Sequence, residues 1–172
     1  LESGCRQEAT AYAGELMRQQ EHSSQLGQCE NPLVDAFLFS RIREARQAGI
    51  PVEAPVVLPR RLPIANVDLV ILFGNLMDNA VEACGQVASP FIRLEAGLRK
   101  DYLVVTETNP APADDTRKKR RIPQLERGIG LHILTDLAGR YHGSCTQEVR
   151  DGQFTVSIAL QLPENQGETE EA

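Results

Sequence analysis

Hydrophobic residues recur at helical spacing near the start of the chain. Residues 6–26 carry a thin apolar stripe at intervals of three and four, which predicts an amphipathic helix. A fuller stripe follows Asn31-Pro32 and ends near Gly49. Because proline suits the first turn of a helix, we expect a second helix to begin there. The thin stripe of the first helix suits contact with a partner helix in a dimer, and it equally suits packing back onto its own domain.

The helical period returns twice further along the chain. Apolar residues from Asp68 to about Gly85 predict a long helix, and Asp68 is expected to cap its first turn. Gly128 opens a further predicted helix, which ends before Tyr141.

Runs rich in β-branched and aromatic residues predict the strands. These runs cover residues 50–58, 91–96, 102–108, 144–149 and 154–162. The first run surrounds two prolines and therefore suits an edge strand. We expect the next two runs to form a hairpin across Gly97–Asp101, and the last two to form a hairpin across Asp151-Gly152.

The order of these elements favours an α+β fold. It runs helices, strand, helix, two strands, a long loop, helix and two strands, which is not a repeating series of βαβ units. A doubly wound parallel sheet is therefore disfavoured. A two-layer α/β sandwich with a mixed, mostly antiparallel sheet fits better.

Composition narrows the class of protein. Hydrophobic residues make up 41% of the 172 residues, enough for a core, and the net charge of −6 argues against a general nucleic-acid binder. No apolar run reaches the ~18 residues of a transmembrane helix, and no signal peptide is recognisable. The cysteines are too widely separated for a zinc site and suit the reduced thiols of a cytoplasmic protein.

Polar side chains share one stripe of the predicted helix between Asp68 and Gly85. They follow each other at intervals of three and four: Asn75, Asp78, Asn79 and Glu82. The rest of this helix is strongly apolar, so a buried stripe needs polar partners. Amide and carboxylate oxygens suit a magnesium ion with attached phosphates. Bonds to neighbouring backbone or loops are the alternative.

A glycine-rich stretch opens the next predicted helix: Arg127-Gly128-Ile129-Gly130-Leu131. Glycines let a phosphate approach the backbone, and a helix N-terminus offers unpaired amides. An ordinary glycine turn is the alternative. The loop before it, residues 109–127, contains the basic run Arg117–Arg121, which suits either closure over phosphates or simple solvation.

Taken in order, these motifs resemble the GHKL (Bergerat-fold) ATPase superfamily. Residues 75–83, Asn-Leu-Met-Asp-Asn-Ala-Val-Glu-Ala, are similar to the asparagine box of sensor histidine kinases, and residues 127–131 are similar to the second glycine box. Residues 31–38, with residues 45–50 behind them, resemble the quorum-sensing peptide-receptor and citrate-sensor type kinases. The resemblance covers the chain from about residue 5 to residue 162.

The resemblance implies a site for ATP and Mg²⁺ between the helical layer and the long loop. Asn79 matches the asparagine that binds the magnesium ion and bridges it to the phosphates. The glycines match those whose amides approach the phosphates. The cofactor-binding residues implied on this side are Asn75, Asp78, Asn79, Glu82, Arg127, Gly128, Gly130 and Leu131.

The adenine side departs from the family pattern. The usual Asp-x-Gly-x-Gly box is missing, and residues 107–110, Glu-Thr-Asn-Pro, stand in its place. Related peptide-receptor kinases are similar in having an asparagine here. Asn109 is therefore the expected acceptor for the adenine amino group, through its side-chain oxygen.

No phosphoacceptor motif is recognisable. His22 lacks the flanking residues of an acceptor box, and His132 and His142 suit structural or solvated positions. The resemblance implies transfer of the γ-phosphoryl group to a histidine absent from this chain, and then to a response regulator. We expect the chain to be unable to autophosphorylate alone, and to be a cytoplasmic portion of a membrane-anchored receptor.

The resemblance also implies a division of the chain. Residues 1–28 match the second helix of the dimerisation hairpin, residues 29–162 the ATP-binding catalytic domain, and residues 163–172 a flexible acidic tail. Two alternatives stay open. The missing aspartate box favours a degenerate scaffold that no longer uses ATP. An anti-sigma-factor kinase is disfavoured by the predicted helix over residues 6–26.

Overall fold

The computed structural model of the chain describes residues 29–111 and 129–163. The helices in this part are α1 (Pro32–Gln47), α2 (Asn66–Cys84) and α3 (Ile129–Arg140). The strands are β1 (Val52–Glu53), β2 (Val56–Val57), β3 (Ile92–Arg99), β4 (Tyr102–Pro110), β5 (Ser144–Arg150) and β6 (Gln153–Gln161). The predicted helix over residues 6–26, the run Arg117–Arg121 and all but the first residue of the predicted tail 163–172 lie outside the described residues. Among the helices described, none combines the length and apolar character that crossing a bilayer requires.

The described strands form one mixed sheet. Its order is β1-β3-β4-β6-β5, with β2 also paired to β3. β1 and β2 run parallel to β3, and the remaining pairs are antiparallel. α2 contacts β3 and β4, and α3 contacts β5 and β6. The predicted α+β sandwich with a mostly antiparallel sheet is confirmed.

The core lies between this sheet and the helices. Alternating residues of the strands supply the sheet side: in β4, Leu103 and Val105 are fully buried, while Val104 between them is half-buried. The helices supply the other side, chiefly through the apolar face of α2, formed by Leu69, Leu72, Phe73, Leu76, Met77 and Ala80.

Local geometry confirms two predicted boundaries. α1 begins at Pro32, and the side-chain oxygen of Asn31 accepts a hydrogen bond from the Val34 amide at 3.1 Å, which caps the helix. β5 and β6 are joined by Asp151 and Gly152, whose φ angles of 51° and 74° suit the tight turn of a hairpin.

The predicted start of α2 is wrong. The helix begins at Asn66, with Ala65 at the N-cap, so Asp68 lies within the first turn and does not cap it. The Asp68 carboxylate instead accepts hydrogen bonds from Arg140 and Tyr141. These partners lie more than 70 residues away in sequence, which is why local pattern suggested the simpler role.

The predicted strand ends are also partly wrong. β3 extends to Arg99 because Gly97 pairs with Val104, and only Lys100 and Asp101 form the turn, with φ of 53° at Lys100. The predicted edge strand over residues 50–58 is two short strands, β1 and β2. Ala54 and Pro55 separate them, and proline lacks the amide hydrogen that a continuous ladder needs.

Candidate functional site

Two side chains of α2 lie directly against the first turn of α3. A Cβ atom at Gly130 would lie 2.9 Å from Oδ1 of Asn79 and 3.1 Å from Oδ1 of Asn75. A side chain at this position would force the amides to move, so glycine permits the close approach of the two helices. The structure thus brings three of the sequence-predicted site residues together.

The two asparagines differ in their hydrogen bonds. Nδ2 of Asn75 donates to the carbonyl oxygen of Ile71 at 2.7 Å, one turn earlier in α2. Nδ2 of Asn79 is buried and has no hydrogen-bond partner among the described residues. Buried polar groups are nearly always paired in folded proteins, so an unpaired one calls for a partner such as a ligand or ordered water.

The other two members of the predicted stripe have different surroundings. Asp78 is largely exposed and forms an ion pair with Arg41 of α1. Nη1 of Arg41 also donates to Oε2 of Glu44 at 3.0 Å, so this arginine links two carboxylates at the junction of α1 and α2. Glu82 is exposed to solvent. Their roles toward a nucleotide stay predictions.

Glu107 is the most deeply buried carboxyl group of the described residues. It lies on the inner face of β4, where its side chain is completely buried. Neither carboxyl oxygen has a hydrogen-bond partner within the described ranges. Burial raises the pKa of Glu107 from 4.5 to about 8, so the group is largely protonated at neutral pH.

The carboxyl group of Glu107 lies near the C-terminal end of α2. Burial raises the pKa of the Cys84 thiol, and Glu107, where it is ionised, raises it further. Cys84 is the last residue of α2 and follows Asn79 by about 7.5 Å along the helix axis, at the usual rise per residue. The unpaired carboxyl group and the unpaired Asn79 amide therefore lie toward the same end of this helix.

Further polar side chains lie around Glu107 on the inner face of the sheet. Asn109, the predicted acceptor for adenine, is 1% exposed, and its Nδ2 donates to the carbonyl oxygen of Pro110 at 2.8 Å. Its role toward adenine stays a prediction. Gln147 of β5 and Glu107 of β4 both pair with Val156 of β6, and both amide atoms of Gln147 are buried without a partner in the described part.

The N-terminus of α3 begins at Ile129 in the part described. The first amides of any helix have no partner within it, and together with the helix dipole they attract phosphate groups. Leu131 anchors this turn, because it packs against the core and its carbonyl oxygen accepts a hydrogen bond from Thr135 at 3.0 Å. Arg127 and Gly128 lie outside the described residues, and their predicted phosphate contacts stay predictions.

The side-chain oxygens beside Gly130 suit magnesium better than a metal that needs a cage of protein ligands. Across residues 29–111 and 129–163, no three His, Cys, Asp or Glu side chains group in a way that could hold a metal ion. Magnesium commonly keeps several waters and phosphate oxygens and takes only one or two oxygens from protein. The amide oxygen of Asn79 fits such a role.

Sequence interpretation missed three side chains of this region. Strand alternation puts Glu107 in the same inward row as Val105, and a carboxyl group in that apolar row is a usable signal. Gln147 interrupts the inward row of β5 in the same way. No sequence signal links Arg41 to Asp78, because their ion pair joins two separate helices.

The GHKL domain family matches residues 64–161, more than half of the chain. The chain belongs to this family. The match begins just before α2 and ends with β6, so it contains the asparagines of α2, Glu107 and Gly130. Asn79 and Gly130, which the structure brings together, therefore belong to the GHKL domain itself.

Relatives of this GHKL domain include sensor histidine kinases. The chain is 29% identical over 155 residues to the sensor histidine kinase DcuS of Escherichia coli K12, and the alignment covers 84% of the chain. It is 26% identical over 142 residues to the sensor histidine kinase NatK of Bacillus subtilis 168, covering 76% of the chain. The chain spans 28% of the length of DcuS and 45% of the length of NatK.

Solved structures share the fold of this GHKL domain. The catalytic domain of the histidine kinase ThkA matches 77% of the chain and 91% of its own length, with a TM-score of 0.57 and 19% identity. The Acinetobacter baumannii histidine kinase AdeS matches 90% of the chain and 79% of its own length, with a TM-score of 0.57 and 13% identity. At these identities the likeness concerns the fold.

Proposed function

We propose that this GHKL domain binds Mg–ATP and is the catalytic domain of a sensor histidine kinase. The observation that carries the proposal is the contact of Asn79 with the first turn of α3 at Gly130. It puts an amide oxygen suited to magnesium beside a helix N-terminus suited to phosphate. Family membership and the kinship with sensor histidine kinases support the same reading.

In this proposal each part of the nucleotide has its own partner. The first amides of α3 bind phosphate oxygens, and glycine at position 130 keeps the approach open. The amide oxygen of Asn79 holds the magnesium ion, whose charge offsets that of the phosphates. At the other end, Glu107 and Asn109 on the inner face of β4 bind the base, because their polar side chains are buried in an otherwise apolar row.

The domain's own contribution to phosphoryl transfer is then positioning and charge stabilisation, which carry most of the catalysis in such reactions. The γ-phosphoryl group passes to a histidine on a helix outside this chain, and from there to a response regulator. A homodimer of the parent protein brings the domain to that histidine. In this scheme the domain is the cytoplasmic catalytic portion of a membrane-anchored receptor.

Binding of a fluorescent ATP analogue in the presence of Mg²⁺ tests the proposal. We expect Asn79→Ala to weaken binding at least tenfold, since it removes the metal-binding oxygen. Asn66→Ala is the matched control, because Asn66 is an exposed asparagine in the first turn of the same helix. Equal affinity of the two variants would refute the assignment of Asn79.

The scaffold alternative makes a different prediction for the same protein. A domain that no longer uses ATP gives no heat when it is titrated calorimetrically with millimolar ATP and Mg²⁺. Saturable heat that disappears in Asn79→Ala supports the catalytic domain, and its absence in the wild-type protein supports the scaffold.

A further inference from the structure

The protonation state of Glu107 sets which hydrogen bonds this side chain offers to a ligand. Both oxygens are buried and lack hydrogen-bond partners among the described residues, so both can pair with a single ligand that reaches them. An ionised carboxylate offers acceptors only. A neutral carboxyl group offers one O–H donor and one acceptor oxygen, side by side in one plane.

The surroundings of Glu107 favour the neutral form. Its neighbours on the same face across the ladder are Leu94 of β3 and Val156 of β6, both completely buried and apolar. From α2, the titratable group that interacts with it is the Cys84 thiol, which burial keeps neutral by raising its pKa. Along β4 the next inward polar side chain is Asn109, which is uncharged. No salt bridge between described residues supplies a cation to Glu107.

The adenine edge is complementary to a neutral carboxyl group. It presents an acceptor at N1 beside a donor, the 6-amino group. We propose that Glu107 binds adenine as the neutral acid, with its O–H donating to N1 and its carbonyl oxygen accepting from the 6-amino group. This inference rests on the proposed nucleotide site and specifies how that site recognises its base.

Ionisation of Glu107 would make the site favour guanine over adenine. A carboxylate keeps the bond from the 6-amino group but sets a second oxygen against the N1 lone pair. Guanine instead presents two adjacent donors, N1–H and the 2-amino group, which suit a carboxylate. Because the pKa of Glu107 is about 8, the ratio of adenine to guanine affinity should fall as the pH rises through that value.

The test measures binding of Mg–ADP and Mg–GDP to the whole chain by calorimetry at pH 7.0 and pH 9.0. We expect the affinity for ADP to fall about tenfold over this range, since the neutral fraction of a group with a pKa of about 8 falls by that factor. The affinity for GDP should not fall with it. Titrations at pH 9.0 in buffers of different ionisation enthalpy should show uptake of about one proton with ADP.

Glu107→Gln fixes the side chain as a neutral donor and acceptor. In this variant we expect an ADP affinity that does not vary between pH 7.0 and pH 9.0 and no proton uptake. Glu148→Gln is the matched control, because Glu148 is exposed on β5 of the same sheet, and it should keep the wild-type profile. Should Glu107→Gln fail to fold, the proton uptake of the wild-type protein still tests whether adenine binding requires the neutral acid.

Two results would overturn the inference. One is ADP binding by the wild-type protein with no pH dependence and no proton uptake. The other is a tenfold fall that persists in Glu107→Gln, which would assign the titration to another group. Absence of ADP binding at both pH values would instead refute the proposed nucleotide site, so the two failures are distinguishable.

Discussion

The hydroxyl of Tyr141 donates a hydrogen bond of 2.6 Å to Oδ2 of Asp68, and so joins the end of α3 to the beginning of α2. The other carboxylate oxygen accepts from Nη2 of Arg140 at 2.9 Å. The Ala65 amide donates to the Tyr141 hydroxyl at 3.2 Å, which ties the N-cap of α2 into the same group. The two helices that carry Asn79 and Gly130 are therefore also joined far from the candidate site.

The direct hydrogen bond predicts a large coupling free energy between Asp68 and Tyr141 in the stability of the fold. Asp68 is buried while Arg140 is mostly exposed, so the hydrogen bonds to the carboxylate are the main compensation for its burial. We expect Tyr141→Phe to lower the free energy of unfolding by about 1.5 kcal/mol and Asp68→Asn by about 2 kcal/mol, as for hydrogen bonds to charged groups. Urea denaturation of both single variants and the double variant measures the coupling. Strict additivity of the two losses would contradict the direct bond.

Gly143 lies so close to the backbone of β6 that a side chain at this position would clash with it. A Cβ atom there would lie 1.8 Å from the carbonyl oxygen of Ala159 in β6, and a strand backbone cannot move aside as a side chain can. We expect Gly143→Ala to cost about 3 kcal/mol or more of unfolding free energy. Gly49→Ala is the control for backbone strain without a steric clash. Gly49 has φ of +82°, which disfavours alanine, but nothing lies near its Cβ position. It should cost only about 1–2 kcal/mol by urea denaturation.

Elements defined by local pattern were predictable from the sequence. The Asn31-Pro32 start of α1 and the Asp151-Gly152 turn depend on residues within a few positions of each other, and the structure confirms both. Features that depend on distant partners were not. Asp68 resembles a helix cap in sequence, and only the packing of α3 against α2 reveals its bonds to Arg140 and Tyr141.

In the candidate site, too, features set by local spacing were predictable and features set by distant partners were not. Helical spacing correctly aligned Asn75 with Asn79, and the structure adds that both meet Gly130. Spacing alone could not tell that Asp78 would pair with Arg41 on another helix. The burial of Glu107 depends on the layer that covers β4, which a single strand's sequence does not contain.

Glu107 predicts a pH dependence of stability. Because folding raises its pKa from 4.5 to about 8, the folded state holds the proton over this range while the unfolded state loses it. Its contribution to stability is therefore fully present below pH 4.5, decreases as the pH rises, and is lost above about pH 8. The slope is at most about 1.4 kcal/mol per pH unit.

Glu107→Gln isolates this contribution, because the amide has nearly the same shape and does not titrate. We expect the variant to gain stability relative to the wild-type protein as the pH rises from 5 to 8, measured as the difference in urea unfolding free energy. The contributions of the other titrating groups are the same in both proteins and cancel in that difference. A difference that stays constant with pH would show that Glu107 ionises equally in the folded and unfolded states.

Gly130 and Gly139 lie in the same helix and predict opposite outcomes for the same substitution. At Gly139 a Cβ meets nothing within 4 Å, so Gly139→Ala should stabilise α3 by about 0.5–1 kcal/mol through helix propensity. At Gly130 the Cβ would lie 2.9 Å from Oδ1 of Asn79, which must move. That oxygen ends a short flexible side chain, so we expect little loss of unfolding free energy in Gly130→Ala.

The effect of Gly130→Ala should appear in nucleotide binding instead. A displaced Asn79 amide and a methyl group over the first amides of α3 both act where the proposed site holds metal and phosphate. We expect the affinity for Mg–ATP to fall about tenfold, equivalent to about 1.4 kcal/mol, while Gly139→Ala binds like the wild-type protein. Fluorescence titration with both variants, checked for folding by circular dichroism, makes the comparison. A folded Gly130→Ala variant with unchanged affinity would place the phosphates away from the first turn of α3.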